Sequence, residues 1–212
     1  MPLFAFFAVD KRQVLTLTGE HIWLVGISML FVVALGVPLG ILLSRRPRWK
    51  GVILGSTNVI QTIPSLALFG LLLPVPWLGA RADRLAILAL TLYALLPVVR
   101  NTYVGITGVD APVREAAIGM GLTPWQLLWH VELPLAANVI VAGIRTATVI
   151  TVGVATIAAA IGAGGLGEFI FRGLAMVDNS VILAGAIPAA LMAICADLLL
   201  GLVQRTLLRV RH

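Results

Sequence analysis

REAAIGMGLTPWQLLWHVELP, residues 114–134, is a polar stretch set between long apolar runs, and its local chemistry reads as helix, turn, helix. Pro112 suits the first turn of a helix, where a missing N–H costs nothing. Gly121 supplies the permissive backbone that ends that helix. Thr123-Pro124-Trp125-Gln126 then starts a second one, with Thr123 as N-cap and Gln126 as its reciprocal partner. Ala116 and Ala117 are small enough for another protein surface to approach closely, and Arg114 and Glu115 carry charge to orient it. The competing reading is an amphipathic hairpin on a membrane surface, with Trp125, Leu128 and Trp129 dipping into the headgroups.

The membrane enters through composition. With 60% hydrophobic and 11% charged residues among 212, and a mean hydropathy of +1.05, the chain is expected to be an all-α integral membrane protein. A spanning helix needs about 20 mostly apolar residues. Five stretches qualify: roughly 22–43, 52–74, 85–106, 136–160 and 181–204. Arg45, Arg46, Arg48 and Lys50 follow the first, Arg100 and Arg114 flank the hairpin, and Arg205, Arg209 and Arg211 follow the last. Short basic loops stay in the cytoplasm, so these three places share the inner side, with the amino terminus outside and the carboxyl terminus inside. The outer side carries a weaker, mixed set: Lys11 and Arg12 beside Asp10 and Glu20, Arg81 and Arg84 beside Asp83, and Arg172 between Glu168 and Asp178. Trp23 and Trp77 fall near the outer headgroups, and Trp49, Trp125 and Trp129 near the inner ones. One transmembrane domain therefore covers 1–212, with an outer tail at 1–21, a cytoplasmic hairpin at 107–135 and an outer loop with a short helix at 162–180.

Several function classes drop out. A net charge of +6 suggests nucleic acid, but the basic residues sit at span ends rather than on one soluble face, so they read as topology signals and lipid contacts. Neither lysine lies in a GxxxxGK phosphate loop. Gly162-Ala163-Gly164-Gly165-Leu166-Gly167 matches GxGxxG, yet it follows a long apolar helix with no strand or acidic ribose partner, so it reads as an outer turn. His21, His130 and His212 are scattered, and Cys195 is alone in an apolar span, which leaves no metal or nucleophile cluster. No catalytic residue, metal or cofactor is expected on this chain. The opening PLFAFFAV precedes Asp10, Lys11 and Arg12, the reverse of a cleavable signal peptide, and is expected to be an outer or interfacial tail.

The hairpin's spacing is Glu115-Ala116-Ala117, three residues, Gly121, nine residues, Val131, one residue, Leu133-Pro134. It resembles the EAA loop of ATP-binding-cassette importer permeases. QTIPSLALFGLLLP at 61–74, YALLPVVRNTYVGI at 93–106 and AGIRTATVITVGVATIAAAIGAGGLGEFIFRGL at 142–174 look like the osmoprotectant branch, importers of glycine betaine, choline and carnitine. The resemblance implies the type I importer permease fold in a bacterial or archaeal inner membrane. It also implies a second permease, identical or closely related, two cytoplasmic ATPases holding ATP and Mg, and an external substrate-binding protein. Some members carry that protein fused to the permease; the chain ends at Arg211-His212, so a separate chain is expected. Carried over residue by residue, ATPase coupling falls on Arg114, Glu115, Ala116, Ala117, Gly119, Gly121 and Leu122. A permease of the same fold for methionine, sulfonate or another small polar nutrient is the alternative. A membrane anchor or sensor without a transport cycle is the alternative of another class.

Within the spans, Asn58, Gln61, Thr62 and Ser65 recur at three- and four-residue intervals as one polar stripe. Such a stripe lines a passage, or else hydrogen-bonds between helices. Tyr93 and Tyr103 are the aromatic candidates for a quaternary ammonium group, too few for a cage, so high-affinity selection is expected on the binding protein. Pro64 and Pro97 each free a carbonyl and allow a bend. Arg145 and Asp197 fall at about the same depth, roughly 10 Å from the inner ends of their spans. They are expected to pair, the competing idea being an Arg145 that snorkels to carbonyls or headgroups. Phe169, Ile170, Phe171 and Leu174 suit a short interfacial helix, which either meets the binding protein through Glu168, Arg172 and Asp178 or only seals the span ends.

Overall fold

A computed structural model describes residues 11–209, apart from the side chains of Leu78, Leu207, Leu208 and Arg209. The segment 1–10 of the expected outer tail, Arg211 of the basic cluster expected on the inner side, and His212 lie outside the described residues.

Helix α1 runs Lys11–Arg45 and so begins well before the expected span at residue 22. Val14, Leu17, His21 and Leu24 explain the extension: they recur at three- and four-residue intervals, and Leu17 packs with Leu166, Phe169 and Val181. Residues 11–21 are therefore helix rather than tail. After a 3-10 turn at Pro47–Trp49 come α2 (Lys50–Thr62) and α3 (Ser65–Leu72). The stretch expected as one span at 52–74 is thus broken, and the two helical arms meet at 102°. Pro64 causes the break, because it lacks an N–H and pushes Ile63 out of the helical region, to φ −67° and ψ 127°.

The remaining helices are α4 (Pro76–Gly79), α5 (Ala82–Thr107), α6 (Ala111–Gly119), α7 (Pro124–Leu127), α8 (Leu133–Ala158), α9 (Gly167–Met176) and α10 (Asn179–Arg209). Pro97 stays inside α5 without ending it. Among the described residues, four helical stretches are long and apolar enough to cross a membrane, and five if the bent α2–α3 pair counts as one. Helix α9 is a short helix within 162–180, the segment expected to carry one.

Helices α5 and α8 form the centre, with α1 against both, α10 against α8 and α9, and α2 against α5. The main core joins Leu24, Val32, Leu68, Phe69, Leu90, Val98 and Val152. Lipid tails are as apolar as leucine, so such helices associate by close backbone approach at small residues. A Cβ on Gly40 would sit 2.4 Å from Thr102, and one on Gly143 would sit 2.6 Å from Asn101. Gly143→Val is accordingly expected to overpack the α5–α8 crossing by about 1–3 kcal/mol, seen as a lower detergent melting temperature. An unchanged melt would remove this crossing from the set of tight contacts.

Candidate functional site

The hairpin forms as its residues dictate. Helix α6 has Pro112 in its first turn and ends at a turn where Gly121 takes φ +84°, a left-handed conformation costly for other residues. Thr123 caps α7: its N–H donates to Gln126 Oε1 at 2.9 Å, and its Oγ1 accepts from the Gln126 N–H at 3.4 Å. A π-helical turn at Leu128–Glu132 then leads without interruption into α8, so the second arm of the hairpin is the root of a spanning helix.

The residues expected to couple to an ATPase divide into two sets. Ala117 is 2% exposed, and its carbonyl accepts the Leu122 N–H at 3.2 Å. Glu115, Ala116, Gly119 and Gly121 are exposed, while Arg114 and Leu122 are half-buried. Around them the hairpin displays Ile118 at 58%, Met120 at 75% and Trp125 at 67% exposure, with Val113 and Trp129 also exposed. Trp125 and Trp129 meet edge to face at 5.5 Å on the surface, but Leu128 is buried against Ile106, Ala136 and Ile140. Leu128 therefore leaves the headgroup-facing trio and belongs to the bundle. A depression of about 450 Å³ at the tip is lined by Met120, Gly121, Leu122, Gln126 and His130.

Glu132 carries a contact that the spacing did not reveal. Its side chain is 1% exposed and is held by two arginines. Arg45, in the last turn of α1, donates to both carboxylate oxygens, at 3.3 Å to Oε1 and more closely to Oε2. Arg114 Nε lies 3.3 Å from Oε1, and Arg114 Nη2 donates to the carbonyl of Ile106 at the end of α5. The available signal was that Glu132 is the one acidic residue between Glu115 and Glu168.

Of the polar stripe, Asn58, Gln61 and Thr62 lie on α2, whereas Ser65 begins α3 beyond the bend. Gln61 Nε2 donates to the carbonyl of Tyr93 at 3.5 Å, which brings those two together. Thr62 Oγ1 bonds back to the Val59 carbonyl at 2.7 Å. Asn58 instead lines a cavity of about 420 Å³ with Lys50, Arg100 and Tyr103, in which the Lys50 ammonium lies 4.7 Å from the Tyr103 ring centroid.

Arg145 and Asp197 do pair, in a fork: Nε donates to Oδ1 and Nη2 to Oδ2, both at 2.5 Å, with each side chain 36% exposed. Bidentate geometry makes this pair specific for arginine. Asp197→Asn and Arg145→Gln should each reduce the yield of folded protein in membranes, and the double variant should lose less than the two losses combined. Strict additivity would mean that the two side chains do not depend on each other.

On the other side of the bundle, Gly164 and Gly165 adopt positive φ, and the Gly165 N–H donates to Glu20 Oε2 at 3.0 Å. Arg172 bonds Gln13 Oε1 at 3.4 Å and lies over the Phe169 ring, Asp178 Oδ1 accepts the Ser180 N–H at 2.8 Å, and Glu168 is exposed. Phe169 is buried, Ile170 half-buried, and Phe171 and Leu174 exposed. Cys195 is a free, exposed thiol, and no group of three or more potential metal ligands occurs among the described residues.

Comparison with known proteins agrees with this geometry. Residues 36–209 match the family described as binding-protein-dependent transport system inner membrane component. The carnitine transport permease protein OpuCD of Listeria monocytogenes is 43% identical over 99% of this chain and 93% of its own length. The glycine betaine/carnitine/choline permease OpuCD of Bacillus subtilis is 46% identical over 95% and 87%. The osmoprotectant import permease OsmW of Salmonella typhimurium is 44% identical over 89% of each chain. Among solved structures, an inward-facing MetNI methionine ABC transporter superposes with a TM-score of 0.83 at 21% identity, covering 93% of this chain and 97% of that one. The chain thus belongs to the binding-protein-dependent transport system inner membrane components, as a non-enzymatic permease subunit that works with a separate ATPase subunit and a substrate-binding partner.

Proposed function

We propose that this permease imports a small osmoprotectant such as glycine betaine, choline or carnitine, driven by ATP hydrolysis on a partner to which the α6–α7 hairpin docks. The observation that carries the docking is the hairpin itself: Ile118, Met120 and Trp125 stand exposed on the same hairpin as the exposed Glu115 and Gly121. Large apolar side chains held out of the core in this way are available to a protein partner. The substrate class is supported by relatives at 43–46% identity whose names specify carnitine, choline and glycine betaine. The neighbour named for methionine, at 21%, supports the fold alone.

In this reading the α2–α3 pair makes a fifth span, the amino terminus lies outside, and the hairpin and carboxyl terminus lie in the cytoplasm of a bacterium or archaeon. Two permease copies, identical or closely related, sit on two ATPases that hold the ATP and Mg; this chain holds neither. Arg114, Glu115, Ala116, Gly119, Gly121 and Leu122 form the docking knob, and Ala117 shapes it from within. Asn58, Gln61, Thr62, Ser65 and Tyr93 contribute a low-affinity, partly polar passage. ATP binding closes the ATPases and carries the hairpins inward, and because α7 continues into α8, the bundle turns from inward-open to outward-open. Hydrolysis resets it.

Uptake by vesicles containing permease, ATPase and the cognate binding protein tests the assignment. ATP-dependent accumulation of betaine, choline or carnitine is expected. Accumulation of methionine alone would redirect the substrate, and no accumulation of any solute would favour a non-transporting anchor.

A further inference from the structure

Glu132 is where four elements meet. Its carboxylate takes Arg45 from the end of α1 and Arg114 from α6, Arg114 in turn reaches the last turn of α5 through the Ile106 carbonyl, and Glu132 itself closes the π-helical turn that opens α8. A buried carboxylate is expensive unless its charge is met and its oxygens are bonded. Here both oxygens are engaged by guanidinium groups. Cations also suit the carboxyl-terminal ends of α1 and α5, where carbonyls lack helical partners. Arg114 thus ties α6 both to the end of α5 and to the root of α8. Two-to-one charge matching at one buried oxygen pair therefore joins the hairpin to three spanning helices at once.

We propose that Glu132 is a positioning residue for energy coupling: it fixes the hairpin to α1, α5 and α8, so that displacement of the hairpin turns the spans instead of bending the hairpin. At 1% exposure it cannot touch a partner protein itself, and it acts through Arg45 and Arg114. The proposal rests on the hairpin docking to an ATPase, as above.

Solute moved per ATP hydrolysed, measured in vesicles holding the complete complex, tests it. Glu132→Gln keeps the size and one acceptor but loses the charge. Its complex should still copurify and hydrolyse ATP at the basal rate, while the ratio of transport to hydrolysis falls about tenfold, within the usual range of coupling between sites. The double variant Glu132→Gln/Arg45→Gln removes one of the two cations that Glu132 had met and returns the cluster to its wild-type net charge, so it should melt close to wild type yet stay uncoupled. It also serves if the single variant fails to assemble. A wild-type ratio in either variant overturns the proposal. So does transport that falls only in proportion to hydrolysis, or a double variant that regains stability and coupling together, since each describes a purely structural ion pair. Wild-type vesicles that move no solute would indict the importer reading instead.

Discussion

Gly121→Trp is expected to lower transport at least about tenfold, and stimulated ATP hydrolysis with it, while the spans stay folded. Two physical effects act in the same direction. Gly121 holds φ +84°, and a side chain forced into that left-handed region costs about 1–3 kcal/mol of local strain. No atom lies within 4 Å of a Cβ placed there, so the indole would not clash inside the protein. It would project from the tip, into the depression bordered by Met120, Leu122, Gln126 and His130. The damage should therefore fall on docking rather than on folding. Vesicle uptake, stimulated hydrolysis and a detergent melt separate these, and normal uptake would show that the tip need not be covered for transport.

Ala117→Asp should have an effect of similar size by a different route. Ala117 is 2% exposed, and the cation one turn before it on the same helix, Arg114, is already engaged by Glu132 and the Ile106 carbonyl. A carboxylate placed without a partner in such a position costs several kcal/mol or distorts its surroundings. The turn of the hairpin is held by the Leu122 N–H to Ala117 carbonyl bond and the Thr123–Gln126 cap. The expected result is a hairpin that opens locally, cut rapidly by protease between residues 111 and 132, with copurification of the ATPase lost. The same substitution at exposed Ala116 should leave the protease pattern unchanged. Equal protease resistance in both variants would contradict the division of the alanines into one facing inward and one facing out.

The hairpin was legible in the sequence because its determinants are local. A proline at a helix start, a glycine in a left-handed turn and a Thr–Gln capping box need no distant partner, and each is formed as its chemistry dictates. The Arg145–Asp197 pair was legible because two charges at one depth in apolar helices have few alternatives to each other. Pro64 announced a bend, but the 102° turn that divides α2 from α3 depends on Leu68 and Phe69 finding the core beside Leu24 and Leu90. That divided the polar residues expected as one stripe. Leu128 was misassigned to the headgroups because it shares helical spacing with Trp125 and Trp129; only the packing with Ile106 and Ala136 shows its inward face. Glu132 escaped for the same reason, since its partners lie 87 and 18 residues away and converge only in the folded bundle. The early start of α1 rested on a pattern that was visible but ran past the charges Lys11, Arg12 and Glu20.

Disulfide cross-linking between the hairpin and the partner ATPase bears most directly on the coupling described here. Cys195→Ser removes the free thiol. Met120→Cys then places a single thiol at a residue that is 75% exposed on the tip. With cysteines placed along the ATPase surface, oxidation should join the two chains at a few adjacent sites, change in yield when ATP is added, and stop transport until reductant restores it. Full-speed transport with the hairpin locked to nothing, or a Met120→Cys thiol labelled only from outside the cell, would contradict it.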